Sequence, residues 1–163
     1  MMFSESLVKE IQDLFKNYPS KRPALIMALH AVQRDHGCLS PEAFEELGEL
    51  FDEHPGEIES VASFYTMFHF EPIGKCLIEV CTNASCMIMG SDDIVDHILK
   101  KLDIKLGETT SDGLFTVKEA ECLAACDMAP IIIIDEKFEG PLTKEKADKL
   151  IDEWRRVHVS TPL

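Results

Sequence analysis

Two short-range pairs of cysteines constrain this chain more than any other feature. Cys81 and Cys86 stand in C-x4-C spacing and Cys122 and Cys126 in C-x3-C spacing, with residues 87–121 between the pairs. In a reducing compartment, thiols grouped this way point to metal or redox chemistry and not to structural disulfides. The four are read as one thiolate cage. A [2Fe–2S] cluster asks for four soft ligands, two on each iron, and this set supplies them. Small residues in both loops, Ala84 and Ser85 in the first and Ala124 and Ala125 in the second, allow backbone N–H groups to approach the sulfurs. The spacing favours iron–sulfur but leaves structural zinc open, as well as a purely structural origin. A dithiol enzyme would want C-x-x-C, which is absent. A Rieske centre needs two histidines, and none of the six lies at a matching offset. Cys38 and Cys76 are expected to be small buried hydrophobes. The apolar run Met87, Ile88, Met89 reads most simply as core packing, with shielding of the metal centre as a second use.

The remaining composition narrows the partners. The chain has 163 residues, 45% of them hydrophobic, enough for a real core. Asp and Glu number 30 against 16 Lys and Arg, for a net charge of −14. Nucleic acid is therefore not an expected partner, since phosphate binding needs a basic face. Negative charge around a cluster also disfavours adding an electron, so a low reduction potential is expected. No run approaches the roughly 18–20 apolar residues of a membrane span, and direct membrane insertion is not expected. No basic region followed by an apolar one opens the chain, so a cytoplasmic location is expected.

The first part of the chain carries helical periodicity. Residues 5–17 place Leu7, Val8, Ile11, Leu14 and Phe15 at helical spacing, with Ser4 or Ser6 as cap. Pro23 opens a second helix that Gly37 stops. Ser40 and Pro41 begin a third with Phe44, Leu47, Leu50 and Phe51 inward. A fourth is expected over 57–68, with Ile58, Val61, Ala62, Tyr65 and Phe68 on one stripe. Residues 71–74 read as a joint.

Beyond the joint the pattern changes. Residues 76–81 read as a strand that delivers Cys81 at its end. A loop carries Cys86 to Gly90, and Ser91, Asp92 and Asp93 start a helix. Asp112 and Gly113 signal a tight turn before a strand at 114–117. Ile131 to Ile134 look like a central strand, followed by a turn at 135–137 and a strand stub at Phe138. Thr143 caps a last helix bearing Ala147, Leu150, Ile151 and Trp154 inward. The expected fold class is α+β: an N-terminal helical bundle over 1–72, a thioredoxin-like α/β domain with a small mixed sheet over 73–158, and a tail over 159–163. Both cysteine pairs fall where strands hand over to loops, at one end of the sheet. No nucleotide-binding or catalytic motif is present, and no catalytic residue is assigned.

Four stretches carry a family resemblance: V-A-S-F-Y-T-M-F at 61–68, C-T-N-A-S-C at 81–86, G-E-T-T-S-D-G at 107–113 and E-C-L-A-A-C-D-M-A-P at 121–130. Together they resemble the small, 24 kDa-type [2Fe–2S] subunit of NADH-quinone oxidoreductase, respiratory complex I. That family has relatives in NAD-reducing hydrogenases and NAD-dependent formate dehydrogenases. The resemblance covers about residues 5–156. It implies a thioredoxin-like ferredoxin domain with Cys81, Cys86, Cys122 and Cys126 as the metal and cofactor ligands. It further implies electron transfer as one subunit of an NADH dehydrogenase complex, next to a partner subunit that holds FMN and NADH. The expected place is the peripheral arm of a membrane-associated complex, or a soluble complex. Two positions depart from the family pattern: Ala124 stands where glycine is usual, and Ser85 where a proline often precedes the second cysteine.

Overall fold

In a computed structural model of the chain, residues 2–134 and 137–159 are described. Its contacts divide the chain into two compact units, Met1–Pro72 and Ile73–Leu163, and each holds its own hydrophobic core.

The described residues of the first unit form four α-helices, α1 (Glu5–Phe15), α2 (Leu25–His36), α3 (Pro41–Phe51) and α4 (Pro55–Ser63), with a 3-10 turn at Arg22–Ala24 leading into α2. Their ends follow local chemistry. The Ser4 hydroxyl accepts the Leu7 N–H at 3.2 Å, and Pro41 sits at the first position of α3 behind Ser40. Gly37 ends α2 at φ +80°. The stripes meet in one core of Leu7, Ile11, Leu29, Val32, Phe44, Leu47, Phe51 and Ile58. Each Leu or Ile fully buried there contributes about 1.5–3 kcal/mol.

The helix expected over 57–68 ends five residues early. The Phe64 and Tyr65 N–H groups reach back only three residues, to the Val61 and Ala62 carbonyls at 3.3 and 3.1 Å. The Ser63 hydroxyl donates to the Ser60 carbonyl at 3.0 Å. This tightened last turn closes the helix. Tyr65, expected on the inward stripe, is 37% exposed, and Phe64 beside it is 82% exposed. Phe68 is buried as expected.

The second unit contains β1 (Cys76–Cys81), α5 (Ala84–Ile88), α6 (Ser91–Leu102), β2 (Phe115–Ala120), β3 (Ile132–Ile134), β4 (Lys137–Glu139) and α7 (Lys144–Val159). The sheet order is β2-β1-β3-β4, with β1 parallel to β2 and antiparallel to β3. This is the small mixed sheet of the expected α+β class. The isoleucine run lies inside the sheet, paired on both sides. The helices α6 and α7 lie side by side, linked by His97 to Asp148 at 2.9 Å and Lys101 to Asp152 at 2.9 Å. Ile94, Ile98, Ile151 and Trp154 join the strand residues Ile78, Val80, Phe115 and Val117 in the core.

Some boundaries differ from expectation. The α6 cap is Gly90 at φ +92°, and Ser91 lies inside the helix, fully buried. The last helix runs on to Val159. Thr143 does cap it, accepting the Lys146 N–H at 3.2 Å. Residues 135 and 136 of the expected turn, and 160–163 of the expected tail, lie outside the described residues.

The segment over 107–113 runs along the outer edge of β2. Gly107 donates its N–H to the Val117 carbonyl and Thr110 to the Phe115 carbonyl, both at 2.8 Å. Phe115 returns its N–H to the Thr110 hydroxyl at 3.0 Å, and the Thr109 and Thr116 hydroxyls bond at 2.7 Å.

Candidate metal centre

Strand register brings the two cysteine loops to one place. Cys81 ends β1 opposite Ala120, the last residue of the parallel neighbour β2. Two residues beyond Ala120 the chain reaches Cys122. On the other side of β1, the antiparallel strand β3 starts with Ile132 opposite Val80. The Cys81 N–H bonds the Ile131 carbonyl at 3.1 Å. Both loops must therefore leave the sheet at the end where Cys81 lies.

The structure places each predicted ligand at this end. Cys81 and Cys86 are buried, and Cys122 and Cys126 are exposed. Cys86 sits in α5, which Asn83 caps by accepting the Ala84 N–H at 2.9 Å. Cys126 opens a 3-10 turn, Cys126–Met128. The Cys81 thiol interacts with those of Cys86 and Cys122, and Cys86 feels both Cys81 and Cys126. Among the described residues, no three His, Cys, Asp or Glu side chains converge on the position of one metal ion. A binuclear cluster takes two thiolates at each of two irons and needs no such point.

Backbone donors surround the sulfurs. The N–H groups of Asn83 and Leu123 face the Cys81 sulfur, and that of Ile131 faces Cys86. Ala124 donates to the Cys122 sulfur at 3.4 Å. Burial pushes the Cys81 thiol up, but its two N–H donors and the Cys86 and Cys122 thiols outweigh it and hold it below the ordinary cysteine value. Burial, followed by the Cys81 neighbour, raises Cys86 against the pull of the Ile131 N–H. A ring of N–H donors around closely set thiols suits a group that carries net negative charge on sulfur. The donor set thus fits a [2Fe–2S] cluster, and Cys81, Cys86, Cys122 and Cys126 are the residues that would hold it.

Ala124 has φ +56°, in the left-handed region where glycine is at ease. Ser85 is exposed at the second position of α5. The N–H there has no helical carbonyl to bond, so a serine serves as well as a proline. Cys76 is buried at the opposite end of β1 from Cys81, and Cys38 is half-buried in the first unit.

The run after Cys86 is not core. Met87, Ile88 and Met89 are 52%, 79% and 59% exposed. Only Cys86 of α5 is buried, so this one-turn helix anchors its thiol and shows its apolar side chains to solvent. Sequence reasoning also missed α5 itself and the donors at Asn83, Leu123 and Ile131. A five-residue helix is too short to show periodicity; Asn83, a residue type that caps helices, is the one local signal for it. No helix among the described residues is long and apolar enough to cross a membrane.

The chain is similar to several known proteins. The thioredoxin-like [2Fe-2S] ferredoxin family matches residues 11–155. An NADH-quinone oxidoreductase subunit of Rhizobium meliloti is 37% identical over 147 residues, covering 90% of this chain and 88% of that protein. An NADH-quinone oxidoreductase subunit of Rickettsia felis is 41% identical over 155 residues, 93% of each chain. The chain spans 58% of the length of a matching NADH-quinone oxidoreductase subunit of Mycobacterium bovis. A solved structure, an air-oxidised NAD+-reducing [NiFe]-hydrogenase, superposes with a TM-score of 0.71 at 27% identity, over 82% of this chain and 23% of that one. Fold, cysteine placement and sequence likeness together make this chain a member of the thioredoxin-like [2Fe-2S] ferredoxin family.

Proposed function

We propose that this chain carries one [2Fe–2S] cluster on Cys81, Cys86, Cys122 and Cys126. It is an electron-transfer subunit of an NADH-oxidising complex of the NADH:quinone oxidoreductase kind. The observation that carries the reading is the gathering of four thiols at one sheet end, with backbone N–H groups aimed at three of their sulfurs. A bound cluster supplies reversible one-electron storage. The protein's own residues do the rest. Cys81 and Cys86 hold the buried side, and Ile131 and Asn83 fix their sulfurs by hydrogen bonds. Cys122 and Cys126 form the exposed side, where an electron enters or leaves.

The partner is a subunit that holds FMN and oxidises NADH. Two observations support this. The likeness to the hydrogenase spans 23% of a longer chain, so there the equivalent unit is continuous with further protein. Beside Cys86, the exposed apolar side chains of Met87, Ile88 and Met89 continue outward from the cluster site, and the partner covers them. The assembly is the peripheral arm of a membrane-associated complex or a soluble complex of the hydrogenase type.

The test is metal and sulfide analysis of the purified chain, with EPR after dithionite reduction. The expected result is two irons and two acid-labile sulfides per chain, with an EPR signal that appears on reduction. One zinc per chain with no labile sulfide would replace this reading with a structural zinc module.

A further inference from the structure

We propose that Gly140, outside both cysteine loops, is a positioning residue for the cluster, an inference that rests on the cluster reading above. Residues 126–131 serve three of the four cysteines. They carry Cys126, aim the Ile131 N–H at the Cys86 sulfur, and accept the Cys81 N–H on the Ile131 carbonyl. The stretch is internally stiff: Met128 bonds back to the Ala125 carbonyl at 3.0 Å, and Ala129 to the Cys126 carbonyl at 3.3 Å. A shift at Met128 therefore reaches Cys126 directly.

The segment between β4 and α7 backs this stretch. Leu142 donates its N–H to the Pro130 carbonyl at 2.8 Å. Lys146 in the first turn of α7 holds the segment from behind, with Nζ at 3.3 Å from the Gly140 carbonyl and 3.1 Å from the Glu139 carboxylate. Between these two fixed points Gly140 lies against Met128. A Cβ at position 140 would fall far inside van der Waals contact with the Met128 carbonyl oxygen and at 2.9 Å from the Met128 Cβ. The obstacle is backbone, which cannot rotate aside. Any side chain here must push the 126–131 stretch or the strap behind it, which Leu142 and Lys146 tether in place. The bare α-carbon of Gly140 thus sets how close the second cysteine loop sits to the first.

The test uses the full chain with its cluster loaded. Gly140→Ala is compared with the natural chain for the rate of iron loss to a chelator, the EPR spectrum of the reduced form, and far-UV circular dichroism. The expected result is retained secondary structure, an altered EPR line shape, and iron loss faster by about tenfold or more, the scale seen when support behind a metal ligand is removed. A folded variant with natural iron release and an unchanged EPR spectrum overturns the proposal. If Gly140→Ala does not fold, Lys146→Met decides, since it frees the strap and leaves position 140 bare. Faster iron loss at unchanged secondary structure supports the proposal, and unchanged iron loss overturns it. A natural chain that takes up no [2Fe–2S] cluster instead removes the underlying reading, and this inference with it.

Discussion

Ala124 donates its amide to the Cys122 sulfur at 3.4 Å from a left-handed backbone at φ +56°. The side chain is the misfit. An L-residue in this region costs roughly 1–2 kcal/mol, while glycine would forfeit about 0.4–1 kcal/mol through its freer unfolded chain. Ala124→Gly is therefore expected to stabilise the protein by about 0.5–1 kcal/mol on these two terms. Urea unfolding of the two forms would measure it, and a destabilised glycine variant would show that the strain is relieved some other way.

The ligand set separates Cys81 from Cys76, at opposite ends of one strand. Cys81→Ser is expected to abolish the reduced EPR signal. Cys76→Ser should leave the spectrum intact while lowering stability by about 1–3 kcal/mol, because it buries a hydroxyl in an apolar setting. Equal loss of signal in both variants would undo the assignment.

The Asp112 carboxylate accepts from the Thr110 hydroxyl and from the Leu114 N–H at 3.1 Å, and pairs with Arg155 at 3.2 Å. Burial pushes its carboxyl up, but these partners outweigh burial and hold it below the usual aspartate range. A depressed folded pKa adds stability that is full above the unfolded value of about 3.9 and fades as pH falls through the folded value. Asp112→Asn should cost about 1 kcal/mol at neutral pH through weakened hydrogen bonds. It should also flatten the dependence of stability on pH in the acid range. Superimposable acid-unfolding curves for the two forms would deny Asp112 this role.

Ile88 is 79% exposed beside Cys86. Ile88→Asp should change the stability of the isolated chain by no more than about 0.5 kcal/mol, as for other surface substitutions. It should sharply reduce co-purification with a co-expressed NADH-oxidising flavoprotein partner. Undiminished recovery of the pair would move the docking face elsewhere.

Much of this architecture is legible in the sequence because it rests on short-range chemistry. Ser4, Ser40 and Thr143 announce helix starts, and Gly37 announces an end. The cysteines sit where strand patterns stop, and register then brings them to one sheet end. What is not legible depends on solvent exposure and backbone approach. Met87, Ile88 and Met89 look like core because hydropathy cannot tell an apolar face that is buried from one that is exposed. The early end of α4 hides for a related reason: Tyr65 continues the apolar period, while the backbone has already tightened at Ser63. The closeness of Gly140 to Met128 joins residues from different loops, and local pattern carries no trace of it.

The segment over 107–113, with its hydrogen bonds to β2, has a consequence for how the molecule behaves in a crowded solution. On one flank of the sheet the Phe115–Val117 half of β2 is already bonded by the chain itself, and on the other flank β4 spans three residues among those described. A strand edge this short gives a neighbouring copy little to pair with. Loosening the Thr109 and Thr110 contacts would uncover Phe115–Val117 and open the whole six-residue strand β2 to pairing with another copy.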